Sequence, residues 1–311
     1  MKRKNEQGEK VEKKVKIDVP KSVLNKVCTL MIKDKIAEAK ALIPLEARHL
    51  HLGCSQSDDN SLLHYAAKTA SCDMIEYLLA GGADINRRDN NKCHFTGSKT
   101  PLHFAIESGN DKCCELLIEK GADIDNACLA IAINKRNVPI IKLLLSKGVR
   151  VDTVDRWGST YLHTVISSGR DDLAKLLLDY KADVDARDQQ KRTPLHIATE
   201  RGHEKCIRLL LDHKAGINAR DYQDRSPLHL ATIEAIYKLL VDRGADVNAL
   251  ANGKSILRHA YSHRSVPIIK LLLAAGARPD ADTLDEARRA CNPDKIAELQ
   301  NNAEIYSLLN H

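Results

Sequence analysis

Short aliphatic runs recur along this chain with helical spacing. Ile140, Ile141, Leu143, Leu144 and Leu145 put apolar side chains on one helical face, and Ile268, Ile269, Leu271, Leu272 and Leu273 repeat the pattern. Gly81, Gly121, Gly148, Gly244 and Gly276 follow such runs. Glycine enters the left-handed conformation at a helix C-terminus with little strain, so each is expected to end its helix. Phrases such as Gly82 to Asn86 and Gly244 to Asn248 then lead into polar turns that begin at Asp89, Asp155, Asp188 and Asp221.

A second phrase precedes the aliphatic runs. TPLHFA (Thr100 to Ala105), TPLHIA (Thr193 to Ala198) and SPLHLA (Ser226 to Ala231) are near copies, with weaker ones at Ser61 to Ala66 and Thr160 to Val165. Thr160 to Thr193 is 33 residues, and Thr193 to Ser226 is 33 again. The hydroxyl residue can cap a helix by accepting from an orphan backbone N–H. Proline at the next position sacrifices no helical bond, because its missing N–H had no partner there.

Two motifs recurring together at this period resemble the ankyrin repeat, and the resemblance covers nearly everything after residue 20. It implies an all-α repeat solenoid of stacked helix-turn-helix repeats with β-hairpin fingers. The expected organisation is a disordered basic tail over 1–19 and a single repeat domain over 20–311. That domain divides into an N-cap over 20–60, about seven repeats over 61–280 and a C-cap over 281–311. Helix pairs are expected near 61–82, 100–121, 127–148, 160–181, 193–214, 226–244 and 255–276. In the family the motif histidine bridges the hydroxyl and neighbouring backbone, which is the role implied for His64, His103, His163, His196 and His229. Whole repeats would hold these rings about 10 Å apart, too far for one metal ion.

Four places break the pattern. About six extra residues lie between Asp89 and Thr100, in a region (Asn91 to Lys99) that contains Cys93, His94 and Phe95. Only 27 residues separate Thr100 from its counterpart Ala127, so the finger after Gly121 is expected to be missing. The junction after Gly276 is expected to lack a finger too. The repeat at 226–244 lacks three residues between its helices, which should remove nearly one turn. These breaks fit either neutral drift or a notch matched to a partner.

Composition narrows the function. No run approaches the roughly 18 apolar residues of a membrane span, and the charged N-terminus lacks a signal-peptide core, so a soluble product of the cytosol is expected. The net charge is +6, of which residues 1–26 hold +5, leaving the repeats near neutral. Nucleic acid is therefore not the expected partner of the folded part. Lys2, Arg3, Lys4, Lys13, Lys14 and Lys16 form clusters that fit a nuclear import signal, a solvated tail, or weak nucleic-acid or membrane contact. The nine cysteines, an odd count without a CxxC pair, read as reduced packing residues, with Cys93 a possible exception.

No phosphate loop, zinc-binding HExxH or nucleophile elbow is present, so no enzyme, metal or cofactor is expected. The family resemblance implies a non-catalytic, monomeric scaffold or adaptor that binds a protein on its concave finger and inner-helix side. Aligned contact positions are Arg156 and Trp157, Gln189 and Gln190, and Tyr222 and Gln223 at the tips. Arg192 and Arg225 fall beside them, Glu200 and Arg201 on an inner helix, and Phe95 at one edge. Trp157, the only tryptophan, fits either a packing role against the next finger or a binding hot spot. Alternative roles are a secreted bacterial or viral effector binding a host protein, or a nuclear regulatory factor using the basic tail. The expected location is accordingly cytoplasm, nucleus or a host cell.

Overall fold

The computed structural model describes residues 20–43, 61–89, 98–262, 265–280 and 283. The chain is built as two compact units, 1–149 and 150–311. Phe95, Cys93, His94, the basic clusters of the tail and all of the expected C-cap except Thr283 lie outside the described residues.

The first unit opens with the expected N-terminal helix pair, α1 (Lys21–Ile32) and α2 (Ile36–Ala41). Three repeat pairs follow: α3 (Leu62–Lys68) with α4 (Cys72–Ala80), α5 (Pro101–Ser108) with α6 (Asp111–Glu119), and α7 (Asn126–Lys135) with α8 (Val138–Ser146). First helices stack on first helices, α3 on α5 on α7, and α4, α6 and α8 stack likewise. The helical spacing of the aliphatic runs turns Leu102, Ile106, Leu117, Leu129, Ile140 and Leu144 into this stack, and all six are fully buried.

In the second unit α9 (Tyr161–Ser167) and α10 (Asp171–Asp179) precede α11 (Pro194–Arg201) and α12 (Glu204–Asp212). A single 3-10 turn (Pro227–Leu230) then stands where a full first helix is expected, followed by α13 (Glu234–Asp242). The hairpin β1 (Leu250–Ala251) and β2 (Lys254–Ser255) leads into α14 (Ile256–Ser262) and α15 (Val266–Ala274). The 3-10 turn packs between α11 and α14. The missing three residues thus shorten the first helix, as their count predicts. Ala231 and Ile233 are extended instead. No helix among the described residues is long and apolar enough to cross a membrane.

The repeated histidine sits at the third helical position and holds two repeats together. The backbone N–H of the capping residue donates to Nδ1 in every copy, for example Thr193 to His196 at 3.1 Å. A backbone N–H only donates, so Nδ1 accepts and the ring proton sits on Nε2. That proton reaches the carbonyl before the next repeat: His64 to Lys99, His163 to Arg192 and His196 to Arg225, at 3.0, 3.1 and 3.0 Å. Burial lowers the pKa of these three rings, and they fold neutral. The repeated Asn or Asp of the GADIN phrase is a second tie. Asn86, Asp152, Asp185, Asn218 and Asn248 accept from the backbone N–H of residues 123, 183, 216, 246 and 278.

Three expectations need correction. Gly81 ends α4 with an ordinary right-handed φ of -84°, and Gly82 takes the left-handed conformation instead, φ 84°. The cysteines are not all reduced packing residues. Stacking α4 on α6 brings Cys72 and Cys113 to a Cα separation of 5.3 Å, and they form a disulfide across 41 residues. Cys28, Cys114, Cys128 and Cys206 are free and buried. Finally, most fingers are not strand ladders. Among the described residues only β1 and β2 form a strand pair, and the fingers at 155–159, 188–192 and 221–225 are tight loops closed at their base.

Candidate partner-binding surface

Three fingers of the second unit share one construction. Asp155, Asp188 and Asp221 each turn a carboxylate inward to accept from backbone N–H groups two and four residues on. The polar turn signals therefore have a mechanism: the side chain replaces the ladder bonds that a four-residue reversal cannot make. Asp188 and Asp221 also receive Arg192 and Arg225, whose guanidinium groups clamp them at 2.9 and 2.7 Å. Burial alone would raise the Asp221 pKa. The Arg225 side-chain and backbone bonds outweigh it and hold the carboxyl low.

Adjacent tips are joined through backbone. Gln189 N–H donates to the Trp157 carbonyl at 3.0 Å, and Tyr222 N–H donates to the Gln190 carbonyl at 2.9 Å. The Gln189 side chain also reaches the Arg156 carbonyl. This row leaves Trp157 56% and Tyr222 66% exposed. The Arg156 guanidinium lies 4.0 Å from the centre of the Trp157 ring. Gln190 is exposed beside them, Gln223 is half-buried, and Glu200 and Arg201 are exposed at the end of α11.

The predicted residues therefore divide. Arg156, Trp157, Gln189, Gln190, Tyr222 and Gln223 form one row of tips, while Arg192 and Arg225 are occupied with buried carboxylates and Arg192 also reaches Glu200 at 3.4 Å. Sequence reasoning passed over Val154 and Leu250, exposed apolar residues of the same unit's fingers. It also passed over the hairpin tip Asn252-Gly253, where both residues have positive φ, 48° and 74°. The Asn-Gly dipeptide was the available signal.

In the first unit the fingers differ. Asp89 and Lys99 close a loop base with the same paired bonds as Asp188 and Arg192, but across the six-residue insert. Between α6 and α7 no finger forms, as the 27-residue offset predicts. The His103 Nε2 proton accordingly finds no finger carbonyl and donates to Asp125 Oδ1 at 2.9 Å. Asp125 also caps α7 by accepting from Ala127 and Cys128, and it pairs with Arg88. The His103 bond leads the effects that hold the Asp125 carboxyl well below the usual carboxylate range.

Cys128 Sγ lies 3.7 Å from the same nitrogen, so His103, Asp125 and Cys128 have the residue types of a metal site. The tautomer opposes that use. Thr100 N–H occupies Nδ1 at 3.0 Å, which leaves the ring proton on Nε2, the atom a metal would need. Burial also pushes the Cys128 thiol up to about 12, away from the thiolate that ligates. The trio is a helix-capping network that replaces a lost finger.

A family model described as ankyrin repeats (three copies) matches residues 37–128, 128–221 and 183–251. Over 119 residues the chain is 32% identical to the ankyrin repeat protein FPV223 of Fowlpox virus (strain NVSL), covering 37% of this chain and 80% of that protein. It is 30% identical over 120 residues to a Caenorhabditis elegans homolog of transient receptor potential cation channel subfamily A member 1. That match covers 37% of this chain and 9% of the channel protein. Among solved structures, the ankyrin repeat domain of Bcl-3 superposes with a TM-score of 0.61 at 22% identity, covering 72% of this chain and 98% of that one. The human ASB11 ankyrin repeat domain gives 0.58 at 25% identity, covering 71% and 98%.

Proposed function

This chain belongs to the ankyrin-repeat family, and from that premise we propose that it is a non-catalytic scaffold whose protein partner docks on the fingertip row of residues 150–262. Ankyrin repeats generally mediate protein–protein interaction. The observation that carries the finer reading is the exposure of Trp157 and Tyr222 on tips tied into one row through Gln189 and Gln190. Rigid aromatics with a nearby guanidinium are the side chains that supply most interface energy. Turn tips are normally small and polar, so their presence here calls for a partner. Glu200, Arg201 and Gln223 then form the polar margin.

The test is to identify the partner by affinity capture, then measure its Kd against Trp157→Ala and Tyr222→Ala. Trp157→Ala should cost at least about 2 kcal/mol of affinity. Melting should shift little, since exposed substitutions usually change stability by about 0.5 kcal/mol or less. Unchanged affinity with a large loss of stability would make Trp157 a packing residue and end this reading.

A second reading is a host-interaction protein of viral type. The observation favouring it is the similarity to the fowlpox protein across 80% of that protein's length. Capture of a host protein by the chain, abolished by Trp157→Ala, would support it. Capture only of a partner from the chain's own source would oppose it.

A further inference from the structure

Cys72 stands where packing does not ask for a cysteine. It is the first residue of α4 and is half-buried. The second helices α6, α10, α12 and α13 begin with an acid at that place: Asp111, Asp171, Glu204 and Glu234. An acid there suits the positive end of the helix dipole. Its partner Cys113 is the third residue of α6 and fully buried, at a place that Met74 fills in α4 and Leu173 fills in α10. One sulfur of the Cys72–Cys113 bridge is thus an ordinary core group, and the other replaces a carboxylate nearer the surface.

The bridge joins two repeats at the N-terminal end of the first unit. An end repeat has a neighbour on one side only and frays first. Here α1 packs on α3 and α2 on α4, so residues 21–80 include one end block. Packing holds that block to the next repeat, helped by three kinds of polar tie. His64 reaches the Lys99 carbonyl, Ser108 Oγ donates to the Ala67 carbonyl at 3.3 Å, and Asp123 N–H donates to Asn86 Oδ1 at 2.8 Å. The disulfide adds a covalent tie. Free thiols among the described residues do not compete for it. Cys114, next along α6, is buried, and burial pushes its thiol up to about 12, so it offers little thiolate to attack the bridge. Cys28, Cys128 and Cys206 are buried as well.

We propose that the Cys72–Cys113 disulfide is a redox latch, opened at Cys72 in the folded protein by a small thiol of the glutathione class, and that opening lets the end block fray while the second unit stays closed. The external thiolate attacks Cys72 Sγ and forms a mixed disulfide. The bond to Cys113 breaks, and the Cys113 sulfur leaves with the electron pair and takes a proton from solvent. A second thiol attacks the small-molecule sulfur, which releases Cys72 as a thiol and the small molecule as its own disulfide. Two electrons thus pass from two thiols to the bridge. The latch uses no residue of the fingertip row.

The full chain, purified in air, is digested without reductant and the peptides are identified by mass spectrometry. Those carrying Cys72 and Cys113 should be linked. The folded protein is then treated with reduced glutathione, and amide hydrogen exchange is followed. The link should disappear in native buffer, and exchange over 62–80 should quicken at least about tenfold. Exchange over 193–212 should stay within about twofold, because repeats couple chiefly to their neighbours. Oxidised glutathione should restore the slow rate. Cys72→Ser should exchange alike with and without glutathione. So should Cys72→Asp, which installs the acid of the other repeats and guards against a misfolded serine variant. Three results would overturn the proposal: no linked peptide, a link that glutathione breaks only in denaturant, or equal quickening over 62–80 and 193–212. Unchanged exchange over 62–80 after full reduction, or a glutathione response that persists in both variants, would do so too.

Discussion

In residues 150–262 the motif histidine twice ends on backbone, whereas in residues 100–128 it ends on a side chain. His163 and His196 donate to carbonyls of the following finger. His103 has no such finger and takes Asp125. His229, beside a finger one residue short, makes no well-formed bond and has only the Ala249 backbone near it. One buried donor thus meets three fates, set by the loop that follows it. A regular finger supplies an acceptor that no substitution can delete. A lost finger makes the chain depend on a single carboxylate, and a shortened one leaves the donor poorly satisfied.

The largest expected effect tests that dependence. Asp125→Ala removes a helix cap and strands His103, which together should cost about 3 kcal/mol in chemical denaturation. Asp125→Asn, which keeps a capping oxygen, should cost about 1 kcal/mol. Hydrogen exchange should quicken over 100–146 and stay slow over 193–212. Equal loss in both stretches would erase the contrast.

Acid provides the next test. Burial lowers the pKa of His163, His196 and His229 in the second unit and of His64 in the first, with His229 near 4. For His229 the nearby Arg220 and His259 add to burial. The unfolded chain therefore binds these protons more tightly. Stability is whole above pH 6.5 and falls as pH drops from 6.5 toward the folded values. His229 alone should account for on the order of 3 kcal/mol by pH 4. Protection over 193–230 should fade over this range, and His229→Gln should flatten the loss. An unaltered pH profile in that variant would contradict the assignment.

Two smaller effects sharpen the comparison. The Tyr237 hydroxyl is buried on α13 without a partner among the described residues, and burial pushes its pKa up. Tyr237→Phe should stabilise the second unit by about 1 kcal/mol, measured by denaturant midpoint. Lys181 and Lys214 hold the left-handed position after α10 and α12 that Gly121 and Gly148 hold in the first unit, with φ of 66° and 63°. Lys181→Gly should gain about 0.5–1 kcal/mol in the same measurement. A loss there would mean that the lysine side chain stabilises more than its backbone strains.

Much of this was legible beforehand because it is periodic. The helix pairs, the buried capping histidines, the missing finger after Gly121 and the shortened repeat all follow from motifs counted against a 33-residue register. The fingertip row was legible too, since Asp155, Asp188 and Asp221 mark where each turn begins. For Arg192 and Arg225 a sequence shows their place beside the tip but not the buried carboxylate that each one clamps.

The sequence by itself determined which residues form helices and which way each helix faces, because apolar spacing and capping are local and repeat after repeat states them again. Only the tertiary structure decided what happens between repeats. Cys72 and Cys113 are 41 residues apart and meet because α4 stacks on α6. Asp125 becomes the partner of His103 because a finger is gone, and His229 loses the carbonyl that its counterparts use because the next finger is one residue short. Each of these depends on the distance between elements that no motif encodes, and that distance is set by packing.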